Sequence, residues 1–153
     1  MKTLRRLVLC TAFALLPQAC ASFHIQTPGG FAELSDDARY DYRATTADGV
    51  VLAVRAVANE PEAGLDFWSR VVDERLRRQG YVGDGPSETL HDARGIPGTV
   101  FRYHATHEGR AHRYVVAVFV RGSKVFVVEA GGDREVFDPA APAVERALRS
   151  FRS

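Results

Sequence analysis

Cysteine is scarce in this chain. Cys10 and Cys20 are the only two among 153 residues, which excludes a disulfide-stapled scaffold and any paired Cys-x-x-Cys metal site. No hydrophobic run approaches the roughly 20 residues of a membrane-spanning helix; the longest, Leu7 to Leu16, has ten. An excess of charge of one sign is missing as well. Lys plus Arg number 20 against 19 acids, a net charge of +1, whereas a dedicated nucleic-acid binder carries a strongly basic footprint. Internal repeats and low-complexity tracts are absent, which excludes solenoids and biased tails. What is present is a globular composition, 46% hydrophobic and 25% charged. The length suits one domain and buries a core without a metal or disulfide staple.

The first 21 residues read as an export signal. Lys2, Arg5 and Arg6 form a positive n-region, Leu7 to Leu16 form the apolar h-region, and Pro17 ends it before small residues. Two cleavage sites compete. Leu16-Pro17-Gln18-Ala19-Cys20 resembles a bacterial lipobox, with Pro17 where an apolar residue is usual; cleavage there makes Cys20 the lipidated first residue of the mature chain. Ala19-Cys20-Ala21 reads instead as an A-x-A site for ordinary signal peptidase, cutting before Ser22 and releasing a secreted or periplasmic protein. Once Cys10 is removed Cys20 has no partner, and a single cysteine at the cleavage point makes sense as an acyl attachment. Several acyl chains on one residue anchor stably where one chain is marginal. Ala21 follows Cys20, so the aspartate that retains lipoproteins in the inner membrane is absent. The outer membrane is the expected address under the enterobacterial sorting rule. Loss of the signal removes three basic residues and no acid, so the mature domain stands at −2, with no charge-based claim on anionic lipid or nucleic acid.

Residues 22–39 read as a tether, in which Phe23-His24-Ile25-Gln26 alternates like a short first strand and Thr27-Pro28-Gly29-Gly30 is a turn cluster. The folded domain is expected over 40–153. Tyr40 to Thr46 and Val50 to Ala58 flank Asp48-Gly49, a hairpin signal because both residues tolerate positive φ. Leu65, Trp68, Val72 and Leu76, widened by Phe67 and Val71, predict a helix from Leu65 to Gln79. Gly80 is its stop, and Arg75, Arg77 and Arg78 complement the dipole in its last turn. A short strand is predicted at Glu88 to His91. Val100 to His107, Arg110 to Arg121 and Lys124 to Ala130 predict an antiparallel meander with two-residue loops at Glu108-Gly109 and Gly122-Ser123. Val115 to Val120 and Val125 to Val128 are apolar on both faces, so helices are expected on both sides of the sheet. The closing helix is predicted with Asp138 as N-cap, Pro139 at N1 and Val144, Ala147, Leu148 and Phe151 as its apolar stripe. Hairpin, helix, meander, helix is an α+β order.

This order resembles a known family. Gly95-Ile96-Pro97-Gly98 opening a strand, Phe101-Arg102-Tyr103, the Glu108-Gly109-Arg110 turn, the valine strand to Arg121-Gly122, Val127-Val128-Glu129-Ala130 and the closing Phe137 to Phe151 helix are similar to the PsbP-like fold. That group includes bacterial DcrB-like lipoproteins and the photosynthetic PsbP extrinsic subunits. The resemblance covers roughly Tyr40 to Arg152. It implies an α/β/α sandwich, an antiparallel sheet with helices packed on both faces, and a binding or assembly-assisting role without catalysis. No functional residue of the group has a clear counterpart here.

Catalytic and cofactor signatures give little. Gly-x-Ser-x-Gly and Ser-x-x-Lys are absent, and Ser69 reads as a helix position. Gly83-Asp84-Gly85 and Gly131-Gly132-Asp133 match no full phosphate or dinucleotide motif and read as turns after strands. The pairs Asp36-Asp37 and Asp73-Glu74 read as solvated faces, and Trp68 as core. His107 and His112 fall on one face of the hairpin around Glu108-Gly109, with His104 on the other. They are weak metal candidates, because zinc takes a third and fourth ligand and no carboxylate has an obvious place on that face. The expectation is an exported, lipid-anchored, non-catalytic envelope protein that binds a protein or small-molecule partner, needs no cofactor and contacts the bilayer through acylated Cys20. The alternative is a secreted ligand- or metal-binding protein with weak hydrolase activity, for which His107 and His112 are the best features.

Overall fold

The computed structural model describes residues 23–35 and 38–153. The export signal, Cys20 and the pair Asp36-Asp37 lie outside the described residues. The strands are β1 (Ala32–Glu33), β2 (Tyr42–Thr45), β3 (Val51–Ala58), β4 (Val82–Gly83), β5 (Glu88–His91), β6 (Pro97–His107), β7 (Arg110–Arg121) and β8 (Lys124–Asp133). They form one antiparallel sheet in the order β1-β2-β3-β8-β7-β6-β4, with β5 also paired to β6. The helices are α1 (Leu65–Arg78) and α2 (Arg134–Ser150). The result is α+β, with helices on both faces of an antiparallel sheet, as the valine-rich strands imply.

The meander registers through its two tight loops. Glu108 and Gly109 take φ of 49° and 78°, the pair of positive values a type I′ turn requires. Gly122, at 54°, supplies the first position of the next loop. Consequently His104 pairs with Arg113 and Ala105 with His112, as the two-residue loop predicts. The Asp48-Gly49 hairpin also forms, with Gly49 alone at positive φ and the Thr46 hydroxyl accepting from the Val50 amide at 3.0 Å.

Because side chains alternate across a strand, the meander feeds two cores. Leu52 and Val54 of β3, Phe126, Val128 and Ala130 of β8, and Val115, Ala117 and Phe119 of β7 face α2. They pack with Phe137, Val144, Ala147, Leu148 and Phe151. Tyr103 and Val116 face α1 and pack with Leu76. α1 makes its main sheet contacts with β6 and β7, so no helix is packed closely on β8 and β3 on that face.

Three stretches depart from the sequence reading. The closing helix starts at Arg134 with Asp133 before it, not at Asp138, and Pro139 and Pro142 lie inside it. Each proline forfeits one intrahelical hydrogen bond, but Phe137 is 4% exposed against the sheet, and burial winds its turn into helix. Asp138 is left to meet Arg113 at 3.3 Å and Arg134 at 3.5 Å. Gly131 and Gly132 are not a turn; they lie within β8, where a Cβ on Gly131 would stand 2.9 Å from the Tyr114 ring. Before Tyr40, the short strand is Ala32–Glu33, while Phe23 to Gln26 is laid along the end of α2. His24 and Arg152 exchange backbone bonds at 2.9 and 2.8 Å, Ile25 is buried, and the Phe23 ring lies 6.0 Å from that of Phe151.

Candidate functional site

The half of the sheet beside α1 forms a cleft of about 320 Å³, near the lower end of small-molecule sites. Val116, Val125 and Val127 make its floor, Val57 its outer edge, and Trp68, Val71, Val72 and Leu76 of α1 its wall. Val57, Phe67 and Val71 are 44%, 38% and 37% exposed, so apolar surface continues out of the cleft mouth. Trp68, expected in the core, is half-buried at this wall, and its indole N–H donates to Asn59 Oδ1 at 2.6 Å. Phe67 and Val71 complete an apolar stripe that the sheet covers only in part, because α1 sits over β6 and β7.

At its inner end the cleft becomes polar. Glu129 stands across from Ala53 on β3 and Val116 on β7. Arg55 and Tyr114 are therefore its diagonal neighbours on one face, within reach of long side chains. Glu129 Oε2 accepts from Arg55 Nη2 at 2.6 Å and from the Tyr114 hydroxyl at 2.6 Å. Glu129 is buried, and a buried carboxylate persists when paired and hydrogen-bonded. Burial pushes the Tyr114 phenol far above its ordinary value, and the Glu129 carboxylate adds to the push. Tyr114 therefore donates a hydrogen bond and does not ionise. Burial works against the Arg55 charge, but Glu129 outweighs it and raises the guanidinium above its usual value. Tyr81, 5.0 Å from Tyr114 and 6.2 Å from Tyr103 between ring centres, closes this end. A second hollow behind it, lined by Tyr40, Arg43 and Ala53, shares Tyr81, Tyr114 and Glu129. The Arg55 guanidinium lies 5.4 Å over the Tyr40 ring, a cation–π distance.

Of the histidines weighed from sequence, His112 lines the second hollow, and neither His104 nor His107 lines either one. His107 pairs across its turn with Arg110, on the face that carries His112. The register of β7 with β8 adds a carboxylate there, since Asp133 stands opposite His112. Asp133 meets Arg110 at 2.6 Å and His112 Nδ1 at 3.8 Å, so a guanidinium holds the carboxylate a metal would use. His104 is on the opposite face and bonds Asp84 through Nδ1. No three His, Cys, Asp or Glu side chains converge as a metal site among the described residues. Asp73 is not merely solvated. It accepts from the Tyr103 hydroxyl at 2.7 Å and from Arg77 at 2.9 Å, which ties α1 to β6. Burial works against its charge, yet these bonds hold its carboxyl below the usual value. Ser69 is buried, and its hydroxyl has no partner among the described residues.

Sequence reading passed over Arg55, Tyr114 and Glu129. The signal was present as single charges inside otherwise apolar strands, Arg55 within Val50 to Ala58 and Glu129 within Val125 to Ala130.

No protein-family profile matches the sequence, and no curated protein does. Solved structures do match. LpqN of Mycobacterium tuberculosis, described as involved in cell envelope biogenesis, aligns with a TM-score of 0.66 at 14% identity, over 85% of this chain and 82% of its own. A Pseudomonas aeruginosa protein of unknown function aligns at 0.59 and 14% identity, over 90% and 88%. Cyanobacterial PsbP from Synechocystis aligns at 0.56 and 11% identity, over 85% of each chain. At such identities the likeness is one of fold, and the fold of this chain is PsbP-like.

Proposed function

We propose that this is an exported, envelope-associated, non-catalytic binding domain, anchored by lipid on Cys20, whose cleft between α1 and β8 receives an apolar group of its partner or ligand. The observation that carries the reading is the cleft itself, an open apolar trough ending on the Arg55–Glu129–Tyr114 cluster. Apolar walls with a few convergent polar groups are what small-ligand sites are built from. The cluster favours binding over chemistry. Glu129 is already committed to two donors, and Tyr114 stays protonated, so neither is poised as a base. The export signal and the lipobox-like stretch support the envelope location, and the likeness of fold to LpqN is in keeping with it.

Trp68 is the only tryptophan in the chain and lines the cleft, so its emission reads occupancy directly. Titration with 1-anilinonaphthalene-8-sulfonate is expected to quench it saturably at one site per chain. Val71→Glu, at an exposed wall position, is expected to weaken that binding at least about tenfold by placing a charge against the apolar ligand. Non-saturable quenching, or equal affinity in the variant, refutes the cleft. Radiolabelled palmitate incorporation compared with Cys20→Ala tests the anchor separately; equal labelling of the two removes it.

A further inference from the structure

The mature chain at −2 is not evenly charged. Among the described residues, most arginines off one end of the sheet are neutralised. Arg110 meets Asp133, Arg113 meets Asp84 and Asp138, Arg134 meets Asp138, Arg102 meets Glu88 and Glu145, and Arg55 meets Glu129. The end carrying the β7–β8 loop is different. Arg121 and Lys124 flank that loop, Arg149 and Arg152 close α2, and Arg94 lies on the 92–96 loop. None of these five is in an ion pair with a described Asp or Glu.

Backbone and side-chain bonds gather them into one surface. Arg94 donates to Ser153 O at 2.8 Å and Arg121 donates to the same oxygen, so these two guanidiniums are engaged within the fold. Ala93 N–H bonds Phe151 O at 2.8 Å, and Asn59 N–H bonds Ser123 O at 2.9 Å. Of the acids near this end, Asp92 has its carboxylate buried under four donors, the Asp41 carboxylate accepts from the Ala56 amide at 2.7 Å, and Glu60 and Glu62 lie on the loop toward α1.

The chain enters the domain at this same end. Phe23 packs on Phe126 and Phe151, and His24 is clamped to Arg152. Only Ala21 and Ser22 separate Phe23 from Cys20. Three Cα–Cα steps reach at most about 11 Å, little beyond the Debye length of about 8 Å in physiological salt. An acyl group on Cys20 would leave no linker on which the domain could swing free.

We infer that the end formed by the β7–β8 loop, the 92–96 loop and the last turn of α2 rests on an anionic phospholipid surface. Lys124, Arg149 and Arg152 meet the headgroups, and the short lead from Cys20 fixes which end faces the bilayer. The inference rests on the reading of Cys20 as the anchor for its geometry but not for its charge. It also puts the apolar mouth of the cleft on the membrane side, since Asn59, which holds Trp68, is bonded to the β7–β8 loop.

The test uses the full chain as processed and extracted from membranes, placed in vesicles of phosphatidylcholine with or without 30% phosphatidylglycerol (about one lipid in three, enough for a surface potential). Spin labels go on Ser123→Cys and, at the opposite end, on Glu108→Cys. The Ser123 label is expected to be lipid-proximal in the anionic vesicles and the Glu108 label water-exposed. Lys124→Gln, Arg149→Gln and Arg152→Gln together should release the Ser123 label. Equal exposure of the two labels, or a triple variant that behaves as wild type, overturns the inference. The Cys20→Ala chain separates charge from anchor. Its salt-sensitive binding to anionic vesicles should fall about fivefold for each cation removed, whether or not Cys20 proves to be acylated. If the triple variant keeps its vesicle contacts but loses a co-purifying protein, the end is a protein-binding surface and the lipid assignment falls.

Discussion

Gly98 offers the sharpest test of how the two layers are packed. It lies in β6, opposite Phe119 of β7. A Cβ there would stand 2.4 Å from two carbons of the Phe119 ring and 2.8 Å from the Val118 carbonyl oxygen. Ordinary carbon contacts lie at about 3.5–4.0 Å, so the ring would have to retreat by roughly 1 Å. It cannot do so freely, because its far side stacks on Phe151 at 4.9 Å between centres and both rings are fully buried. Overpacking costs about 1–3 kcal/mol, and a clash that includes a backbone oxygen falls in the upper half of that range, about 2–3 kcal/mol. Stiffening the unfolded chain returns about 0.4–1 kcal/mol. Gly98→Ala should therefore lose about 1–2.5 kcal/mol in urea denaturation with an unchanged m-value. Phe119→Leu alone should also destabilise, by loss of ring volume and of the stack on Phe151. In the double variant the two losses should fall short of additivity by at least about 1 kcal/mol, because the shortened side chain makes room for the new methyl. A loss below about 0.5 kcal/mol for Gly98→Ala, or strict additivity, would show that Phe119 does not hold this position closed.

The remaining predictions concern charge, a hydroxyl and a turn. Glu129→Ala should destabilise by about 2–4 kcal/mol, because the buried Tyr114 hydroxyl loses its acceptor while Arg55, 41% exposed, regains water. A cycle with Tyr114→Phe should show about 1 kcal/mol or more of coupling, and zero coupling would break the cluster into independent residues. Asp92 gives a pH dependence. Burial raises its carboxyl, but the amides of Ser153, Ile96 and Arg94 and the Ser153 hydroxyl together hold it below its ordinary 3.8. Its contribution is therefore complete above that value and is lost as pH falls through the lower folded-state value. Asp92→Asn should flatten the acid limb of a stability–pH curve below about pH 4, and an identical limb would rule Asp92 out. Ser69→Ala should raise the thermal midpoint, since it removes a buried hydroxyl that has no partner among the described residues and adds a better helix former, worth about 1 kcal/mol. Glu108→Asn should also stabilise, by a few tenths of a kcal/mol, because asparagine suits the first positive-φ position of a type I′ turn.

How much of this was legible in sequence follows from which interactions are local. The two meander loops announce themselves through Gly109 and Gly122, and once they are placed the register of β6, β7 and β8 is forced. The closing helix was legible from Val144 onward through its spacing. Its first turn was not, because Phe137 is held helical by the sheet and Pro139 reads locally as a start. The cleft was hidden for a related reason. α1 shows the same amphipathic stripe whether it covers a whole sheet face or half of one, so Phe67, Trp68 and Val71 looked like core. Arg55, Tyr114 and Glu129 come from three strands, and only the pairing of β3 with β8 and β8 with β7 makes them neighbours. Asp133 was missed beside His112 because Gly131-Gly132 read as the end of the strand.

The arrangement of the strands matters before the protein has a partner at all. The four long strands, β3, β8, β7 and β6, are adjacent, and what flanks them is short. On one side β2 is four residues and β1 two. On the other, β5 and β4 cover β6 in two separate pieces, and the Asp84 amide bonds the Arg102 carbonyl between them at 2.9 Å. Unpaired edges of long apolar strands are where chains join one another into aggregates. A chain that gathers this valine-rich sheet closes its templating edges with the same few residues that complete the fold. Loss of β1 or β4 should therefore show itself in the yield of soluble protein before it shows itself in binding.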